Sequence, residues 1–176
     1  FSWGEKRQKI LDLMKKSMRD KLNEEWIKRS PGIFINNKKE AIILASIIEK
    51  ETSLSYEKQV VSSVFHNRLR IGMRLQSDPT VIYGMMVKNN YKLKKLSSKD
   101  IKIFTKYNTY LIDGLPPGPI SNPGKDSIYA ALNPKNTDYF YFVADGRGGH
   151  NFAKSFSEHL LNIKLWKKTI NLNKQK

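Results

Sequence analysis

The sequence predicts an α+β fold that is mostly helical and carries one small antiparallel hairpin. Apolar residues recur at the spacing of about 3.6 residues that is typical of helices along most of the chain. Two short aromatic-rich segments, Tyr139–Val143 and His150–Ala153, flank a glycine-rich turn, which is typical of a β-hairpin. The length of 176 residues fits one domain with a substantial core.

The helices are predicted from their start and stop signals. The first spans Glu5 to Arg29 and is ended by Ser30-Pro31-Gly32, and the second follows Asn36-Asn37 and runs to about Thr52. Four more are predicted: one from Ser55 as N-cap to about Gly72, a short one from Asp78-Pro79 to Gly84, one from Asn122-Pro123 to Leu132, and one capped by Ser157 that runs through Trp166. Residues 86–100 are polar and predicted to be peripheral.

The stretch Gly114–Gly124 is rich in proline and glycine, so no regular structure is predicted there. Leu115 and Ile120 interrupt it and suggest packing against the rest of the fold. A loop made rigid by proline holds its backbone groups in place, which suits the wall of a groove for a polar ligand. A plain connector between two helices is the alternative.

The second helix is the most informative segment, because an apolar run there ends in Glu49-Lys50-Glu51. At about 100° per residue, Glu51 falls about 80° from Ile43, within the apolar stripe, and Glu49 falls on the opposite face. If the stripe faces the core, burial raises the pKa of Glu51 toward neutrality, as a general acid requires. Glu49 would then be solvated and tolerant of substitution. The alternative is that Glu51 closes the last helical turn and extends into water.

Composition and motifs argue against several classes of protein. The absence of cysteine excludes disulfides and thiolate metal sites, and no Walker loop supports nucleotide binding. The histidines lack metal-ligand spacing, so neither a metal nor a cofactor is predicted. His66 is expected to be a satisfied helical side chain and His159 a surface residue, while a cleft position for His150 is the less favoured of two interpretations.

The formal net charge of +16 is weak evidence of function. Lysines outnumber arginines by 25 to 7 and are scattered, whereas nucleic-acid readers usually concentrate charge on one face and rely on arginine. No nucleic-acid partner is therefore predicted. No apolar run approaches the ~20 residues of a membrane span. Because the chain starts with Phe1 rather than Met, a fragment of a longer protein is expected, with any anchor upstream.

With these classes set aside, catalysis by a carboxyl group is the remaining possibility. A two-carboxylate glycosidase needs a second acid at a defined distance from the first. Asp78 is explained as a helix cap, Asp126 as a first-turn charge and Asp145 as a turn residue, so only Asp113 lacks a structural explanation. A single carboxyl beside a polar, aromatic-lined groove is the simpler hypothesis.

Five sequence blocks resemble one known family. In order they are Ala45–Thr52, Val64–Gly84, Tyr107–Tyr110, Gly114–Gly118 and Tyr141–His150. Their content and order resemble the YceG-like endolytic murein transglycosylases, also called MltG, from residue 41 to about residue 160. The segment 86–103 departs most from the family pattern. The family typically has one N-terminal transmembrane helix and a LysM-like module before this region.

The resemblance implies that Glu51 is the catalytic glutamate. In such enzymes it protonates the glycosidic oxygen between N-acetylmuramic acid and N-acetylglucosamine. The resulting carboxylate then deprotonates the muramic C6 hydroxyl, which attacks C1 and leaves a 1,6-anhydro end. A positioned internal hydroxyl has a large effective concentration, so no second acid is needed.

Seven polar and aromatic residues in the resembling blocks and in the loop before Leu132 are predicted to bind substrate. Amide and phenol groups suit the acetamido and hydroxyl groups of sugars, and rings stack on their apolar faces. The seven are Gln76, Asp78, Thr80, Tyr107, Asn108, Tyr110 and Asn122. A helix cap is the alternative interpretation for both Asp78 and Asn122.

The resemblance implies a lysozyme-like catalytic domain over residues 38–170, after a helical lead-in at 1–37 and before a basic tail at 171–176. The expected activity trims or terminates nascent peptidoglycan strands, with those strands and the cell-wall synthesis machinery as partners. The expected location is the periplasmic, extracytoplasmic side of the inner membrane, behind a single-pass anchor. Two alternatives stay open: a muramidase on the same scaffold, and a non-catalytic basic module that binds glycan or nucleic acid.

Overall fold

The computed structural model describes residues 4, 6–89 and 96–173. Within them the elements are α1 (Arg7–Ile27), α2 (Lys38–Glu51), α3 (Ser55–Arg70), α4 (Asp78–Asn89), α5 (Lys125–Leu132), β1 (Tyr141–Ala144), β2 (His150–Ala153) and α6 (Phe156–Asn173). A single 3₁₀ turn, Asp100–Lys102, lies between α4 and α5. The predicted mostly helical α+β class with one antiparallel hairpin is confirmed.

Helix α2 lies at the centre of the core. Its residues from Ile43 to Ile48 are all buried, because the helix packs against α1, α3, α4 and α5. Phe65 of α3 and Leu132 of α5 belong to the same apolar cluster. The Asn37 side chain accepts a hydrogen bond from Glu40 N (3.0 Å) and so fixes the start of the helix. Packing on several sides gives the other end of α2, at Glu51, a defined position.

The two terminal helices lie on the outside of this core. α1 packs through partly buried residues such as Leu22 and Trp26, and the chain after it is held by the Ser30 N–H, which donates to Leu132 O at 3.0 Å. α6 continues past residue 170 to Asn173 without a break, and residues 174–176 of the predicted tail lie outside the described part of the chain. Among the described helices, none has the length and apolar character needed to cross a bilayer.

Several predicted helix starts are wrong by one to three residues. Ser55 is the first residue of α3 rather than its N-cap, and its hydroxyl donates to Asp126 Oδ2 at 2.9 Å. The cap of α6 is Ser155, which accepts from Glu158 N at 3.2 Å, rather than Ser157. α5 starts at Lys125 rather than at Asn122. Leu54 and Gly124, which precede α3 and α5, provide no side-chain cap, so the sequence signal for these two starts is weak.

Helix α4 is longer than predicted because Gly84 is a packing residue and not a helix stop. The loop that follows the 3₁₀ turn approaches the helix there, and a Cβ at position 84 would overlap Thr105 Oγ1 and lie 3.2 Å from Tyr107 Cβ. That loop carries Tyr110, so this contact positions part of the site described below. Residues 90–95 of the predicted peripheral segment lie outside the described residues.

The substitution Gly84→Ala is expected to destabilise the fold by about 1–3 kcal/mol through overpacking. In an unpacked helix the same change would stabilise by about 1 kcal/mol, so the sign of the effect is diagnostic. Urea unfolding of the variant measures it. A stabilised variant would contradict the close approach of the loop to α4.

The hairpin forms a wall beside α3 and α6. Phe142 pairs with Phe152 across the strands, and its ring meets Phe65 of α3 edge-on at 5.9 Å. The Asp145 carboxylate accepts from the N–H groups of Arg147 (2.7 Å) and Gly149 (3.0 Å), which closes the predicted turn. The first strand begins at Tyr141 rather than at Tyr139. The Phe142 contact thus turns one face of the hairpin toward α3, and residues of the hairpin line a cleft together with Glu51 at the end of α2.

Candidate active site

A cleft of about 300 Å³ lies at the C-terminal end of α2. One side is formed by the hairpin and by Trp166 of α6, and the other by the loop before α4 and the start of that helix. Four of the residues singled out from the sequence line it together: Glu51, Gln76, Asp78 and Tyr110. The described cleft therefore combines two carboxyl groups, an amide, a phenol and aromatic rings, which is a surface suited to sugars.

Glu51 is the carboxyl most perturbed by its surroundings. Burial raises its pKa from the ordinary value of 4.5 to about 7, and the nearby negative charge of Asp78 acts in the same direction. A hydrogen bond from Ser77 Oγ to Glu51 Oε1 (2.5 Å) and the positive charge of Arg68 oppose this rise. The predicted shift toward neutrality is present, so the group can hold a proton near pH 7 and release it to a bound ligand.

Arg68 of α3 forms hydrogen bonds to both walls of the cleft. Its buried guanidinium donates to Phe140 O (2.6 Å) before the hairpin and to Leu75 O (2.9 Å) before α4. Sequence reasoning missed this residue because helical arginines are usually exposed. The available signal was its spacing, since it follows buried Val61 and Phe65 by seven and three residues on one helix face.

Asp78 and Tyr110 form a hydrogen-bonded pair at the mouth of the cleft. The Tyr110 hydroxyl donates to Asp78 Oδ1 at 2.6 Å. Burial and then this bond raise the pKa of Tyr110, so it stays a neutral donor. This hydrogen bond holds the Asp78 carboxylate, which lines the same cleft as Glu51. The sequence left a helix cap as the alternative role for Asp78. In the structure Asp78 is the first residue of α4, and its side chain accepts the hydrogen bond from Tyr110.

Thr80 and Asn108 are fully buried behind the cleft wall, which corrects their predicted role as substrate-binding residues. Thr80 Oγ1 donates to Ser77 O at 2.6 Å, and Asn108 Nδ2 donates to Ile103 O at 2.9 Å. Asn108 Oδ1 also accepts from Tyr110 N at 3.0 Å. These side chains satisfy the backbone of irregular segments, so they position Ser77 and Tyr110 rather than a ligand.

Tyr107 and Asn122 also lie away from the cleft. The ring of Tyr107 packs edge-on against Tyr83 of α4, with 4.8 Å between centroids. Asn122 is exposed beside α1, in a groove separate from the cleft. Neither side chain lines the cleft that contains Glu51, and their contact with substrate stays a prediction. The proline-rich loop likewise docks on α2, through Ile120 N–H and Ser46 Oγ (2.9 Å), instead of forming a wall of this cleft.

The histidines occupy three different environments. His66 is satisfied as expected, since its Nδ1 accepts from Phe34 N (3.1 Å) and its Nε2 faces Ala131 O (2.9 Å). His159 is half-buried and stacks on Tyr141, not a surface residue as predicted. His150 lines the cleft, which favours the interpretation that the sequence ranked second. No set of three or more His, Asp or Glu side chains in the described residues is arranged to hold a metal ion.

Glu49 is on the opposite face of α2 from Glu51, as predicted, but it is only partly exposed and is held by hydrogen bonds. It accepts hydrogen bonds from Lys58 Nζ (3.1 Å), from Gly124 N (3.2 Å) and from Ser127 Oγ. Burial alone would raise its pKa, but these bonds outweigh burial and lower the pKa. Two glutamates separated by one residue thus have opposite shifts, the pattern that separates an acid from a structural carboxylate.

Gln76 adopts a left-handed backbone conformation, with φ of +50°, while its side chain is exposed in the cleft. Such a conformation costs a residue with a Cβ about 1–2 kcal/mol. We expect Gln76→Gly to be about 1 kcal/mol more stable than Gln76→Ala, since both lack the amide and only glycine relieves the backbone. If the amide contacts substrate, both variants raise KM equally. Urea unfolding and KM measurements on the matched pair test both statements, and equal stabilities would argue against strain.

The sequence profile of the YceG-like family matches residues 1–165 of this chain. Two relatives are named endolytic murein transglycosylase. The one from Bacillus subtilis (strain 168) is 44% identical over 118 residues, which are 67% of this chain and 32% of that protein. The one from Streptococcus pneumoniae (serotype 2, strain D39) is 32% identical over 137 residues, which are 77% of this chain and 24% of that protein.

The fold also matches a solved structure, a YceG-like protein from Listeria monocytogenes. The TM-score is 0.69 at 38% identity, and the match covers 87% of this chain and 46% of that one. The chain thus spans a quarter to a half of the length of these relatives. The family match covers nearly the whole sequence and includes every residue of the cleft except Trp166. This chain belongs to the YceG-like family.

Proposed function

We propose that this chain is the catalytic region of an endolytic murein transglycosylase, which cleaves peptidoglycan strands between N-acetylmuramic acid and N-acetylglucosamine. The observation that carries the proposal is the Glu51 carboxyl, whose pKa is raised to about 7 at the base of a polar and aromatic cleft. The names of the two relatives support the same activity.

In the first step, protonated Glu51 donates its proton to the glycosidic oxygen while the bond from that oxygen to C1 of the muramic residue breaks. Positive charge develops on C1 and the ring oxygen. The carboxylate of Asp78 lines the same cleft, and its hydrogen bond from Tyr110 fixes its orientation. A fixed negative charge beside the developing positive charge lowers the barrier without reorganisation of solvent.

In the second step, the Glu51 carboxylate accepts the proton of the muramic C6 hydroxyl as its oxygen attacks C1. One C–O bond forms, the 1,6-anhydro ring closes, and Glu51 ends the cycle protonated. No water is consumed. A group that acts first as acid and then as base works best with a pKa near the working pH, which fits a pKa of about 7.

Mass spectrometry of the products from purified glycan strands tests the proposal. Internal 1,6-anhydro products, lighter by one water than the matching reducing ends, are expected. Reducing ends would identify the muramidase alternative. Intact strands, together with DNA affinity that falls steeply with salt, would favour the basic binding module instead.

The same proposal extends to location and partners. Peptidoglycan lies outside the cytoplasmic membrane, so the catalytic region would act on its extracytoplasmic side, tethered by an anchor in the complete protein and close to the cell-wall synthesis machinery. Cell fractionation with an antibody to this region tests the location. Recovery with cytoplasmic proteins would contradict it.

A further inference from the structure

A buried glutamate holds a cleft residue that the steps above do not use. Glu57 of α3 is only 7% exposed. Its Oε1 accepts from the backbone N–H of His150 (2.9 Å), and its Oε2 lies 2.8 Å from His150 Nδ1 and accepts from Thr52 Oγ1 at 3.2 Å. Thr52 directly follows Glu51, so the hydrogen bonds of Glu57 to Thr52 and His150 link the end of α2 to the hairpin. A buried carboxylate is costly unless such partners compensate it.

The contact with Glu57 fixes the tautomer of His150. A carboxylate only accepts hydrogen bonds, so Nδ1 of the imidazole must carry the proton that lies between the two groups. In the neutral ring Nε2 then has a free lone pair. His150 lines the same cleft as Glu51, and its other ring nitrogen is engaged by Glu57. The lone pair of Nε2 is therefore the polar part of the imidazole left to the cleft.

The turn before His150 is shaped for this contact. A Cβ at position 149 would lie 2.8 Å from Glu57 Oε1 and 3.2 Å from Asp145 Oδ2. A side chain at position 149 would push the Asp145 and Glu57 carboxylates away from the backbone N–H groups at the end of the turn. The glycine immediately before His150 is thus explained by the packing of Glu57, independently of the hydrogen bonds to the imidazole.

We propose that His150 contacts the bound glycan, with Nε2 accepting a hydrogen bond from a sugar hydroxyl, and that Glu57 is its positioning residue. The ligand in this proposal rests on the proposed function. Sugar hydroxyls are good donors, and a neutral imidazole with a fixed tautomer is a directional acceptor. This arrangement gives the hairpin side of the cleft an imidazole acceptor, in the same cleft as Glu51 and Asp78.

The substitution Glu57→Gln tests the tautomer without removing volume. The backbone N–H of His150 can only donate, so it draws the amide oxygen of the new side chain to the position of Oε1. The amide N–H₂ then faces His150 Nδ1, which must become an acceptor. The ring proton moves to Nε2, and the group that faces the cleft changes from acceptor to donor.

The experiment uses the whole chain with Glu51→Gln as the parent, so that glycan strands bind without being cleaved. Imidazole ¹⁵N resonances report the tautomer, and His66, whose Nδ1 accepts from Phe34 N, is an internal reference for the Nε2–H form. We expect the Nδ1–H form for His150 in the parent and the Nε2–H form after Glu57→Gln. Glycan affinity should fall about tenfold in Glu57→Gln and in His150→Phe, the size of one lost hydrogen bond.

Glu49→Gln is the matched control, because it makes the same change at a nearby, partly exposed glutamate that is outside the cleft. It should leave both the His150 tautomer and the affinity unchanged. An Nε2–H tautomer in the parent, unchanged affinity in Glu57→Gln, or absence of glycan binding by the parent would each overturn the proposal. The proposed function fails separately, if the chain with Glu51 intact gives no anhydro products.

Discussion

Replacing Glu51 by glutamine is expected to abolish glycan cleavage and to stabilise the folded chain above neutral pH. Loss of a general acid lowers a rate by about 10²–10⁴-fold, and here the same group also acts as the base. Glutamine keeps the volume and can still accept from Ser77 Oγ, so the local structure is retained. Cleavage of purified strands and urea unfolding from about pH 4 to 9 measure the two effects.

The direction of the stability change follows from the raised pKa. The folded chain holds the Glu51 proton up to about pH 7, whereas the unfolded chain releases it near the ordinary value of 4.5. Between these values the folded state binds more protons, so this residue's contribution to stability is full below about pH 4.5 and is lost as the pH rises through 7. The whole shift corresponds to about 3 kcal/mol, and glutamine does not titrate.

The advantage of Glu51→Gln over the unaltered chain should therefore grow between about pH 4.5 and 7 and then level off. The matched control is Glu49→Gln, where the pKa of the replaced carboxyl is lowered rather than raised. A stability difference for Glu51→Gln that does not change with pH would contradict the burial of the carboxyl. Residual cleavage close to that of the unaltered chain would contradict its role.

Removing the Glu49 side chain is expected to cost about 2 kcal/mol of stability without a direct effect on the chemistry. Lys58 is 7% exposed and has Glu49 and Ser127 as its hydrogen-bond partners. In Glu49→Ala its charge is left buried without compensation. Breaking a fully buried pair costs about 3–5 kcal/mol, and the partial exposure of Glu49 reduces this value.

A double-mutant cycle with Lys58→Met isolates the interaction. Methionine removes the buried charge, so the double variant should recover most of the stability that Glu49→Ala loses. Urea unfolding of the four proteins gives the coupling free energy. Additive losses would mean that the two side chains do not depend on each other. We therefore expect substitution of Glu49 to be tolerated for cleavage and to cost stability.

The sequence predicted the site best where periodicity and burial coincide. The angular position of Glu51 within the apolar stripe of α2 predicted a raised pKa on the condition that the stripe faces the core, and the structure meets that condition. The same rule placed Glu49 on the opposite face, but it could not show that α3 and α5 supply Lys58 and Ser127 to that face. Which polar groups meet a helix face is decided by long-range packing, and the spacing along one helix carries no information about it.

The less successful predictions concern polar residues in irregular segments. Thr80 and Asn108 have the chemistry of sugar ligands, and in the structure they satisfy backbone groups behind the cleft wall. The same residue types serve both purposes, so sequence alone does not separate them. Gly84 gave a similar error, because a glycine in a helix can mark either an end or a close approach. His150 was ranked too low because its partner Glu57 is 93 residues away in sequence.

The central claim is that Glu51 keeps its proton near neutral pH, and a ¹³C NMR titration of the glutamate side-chain carboxyls tests it most directly. Comparison with Glu51→Gln assigns the signal. The account predicts one carboxyl that titrates near pH 7, in agreement with the rise caused by burial. A Glu51 signal that titrates near 4.5, like a solvated glutamate, would contradict it.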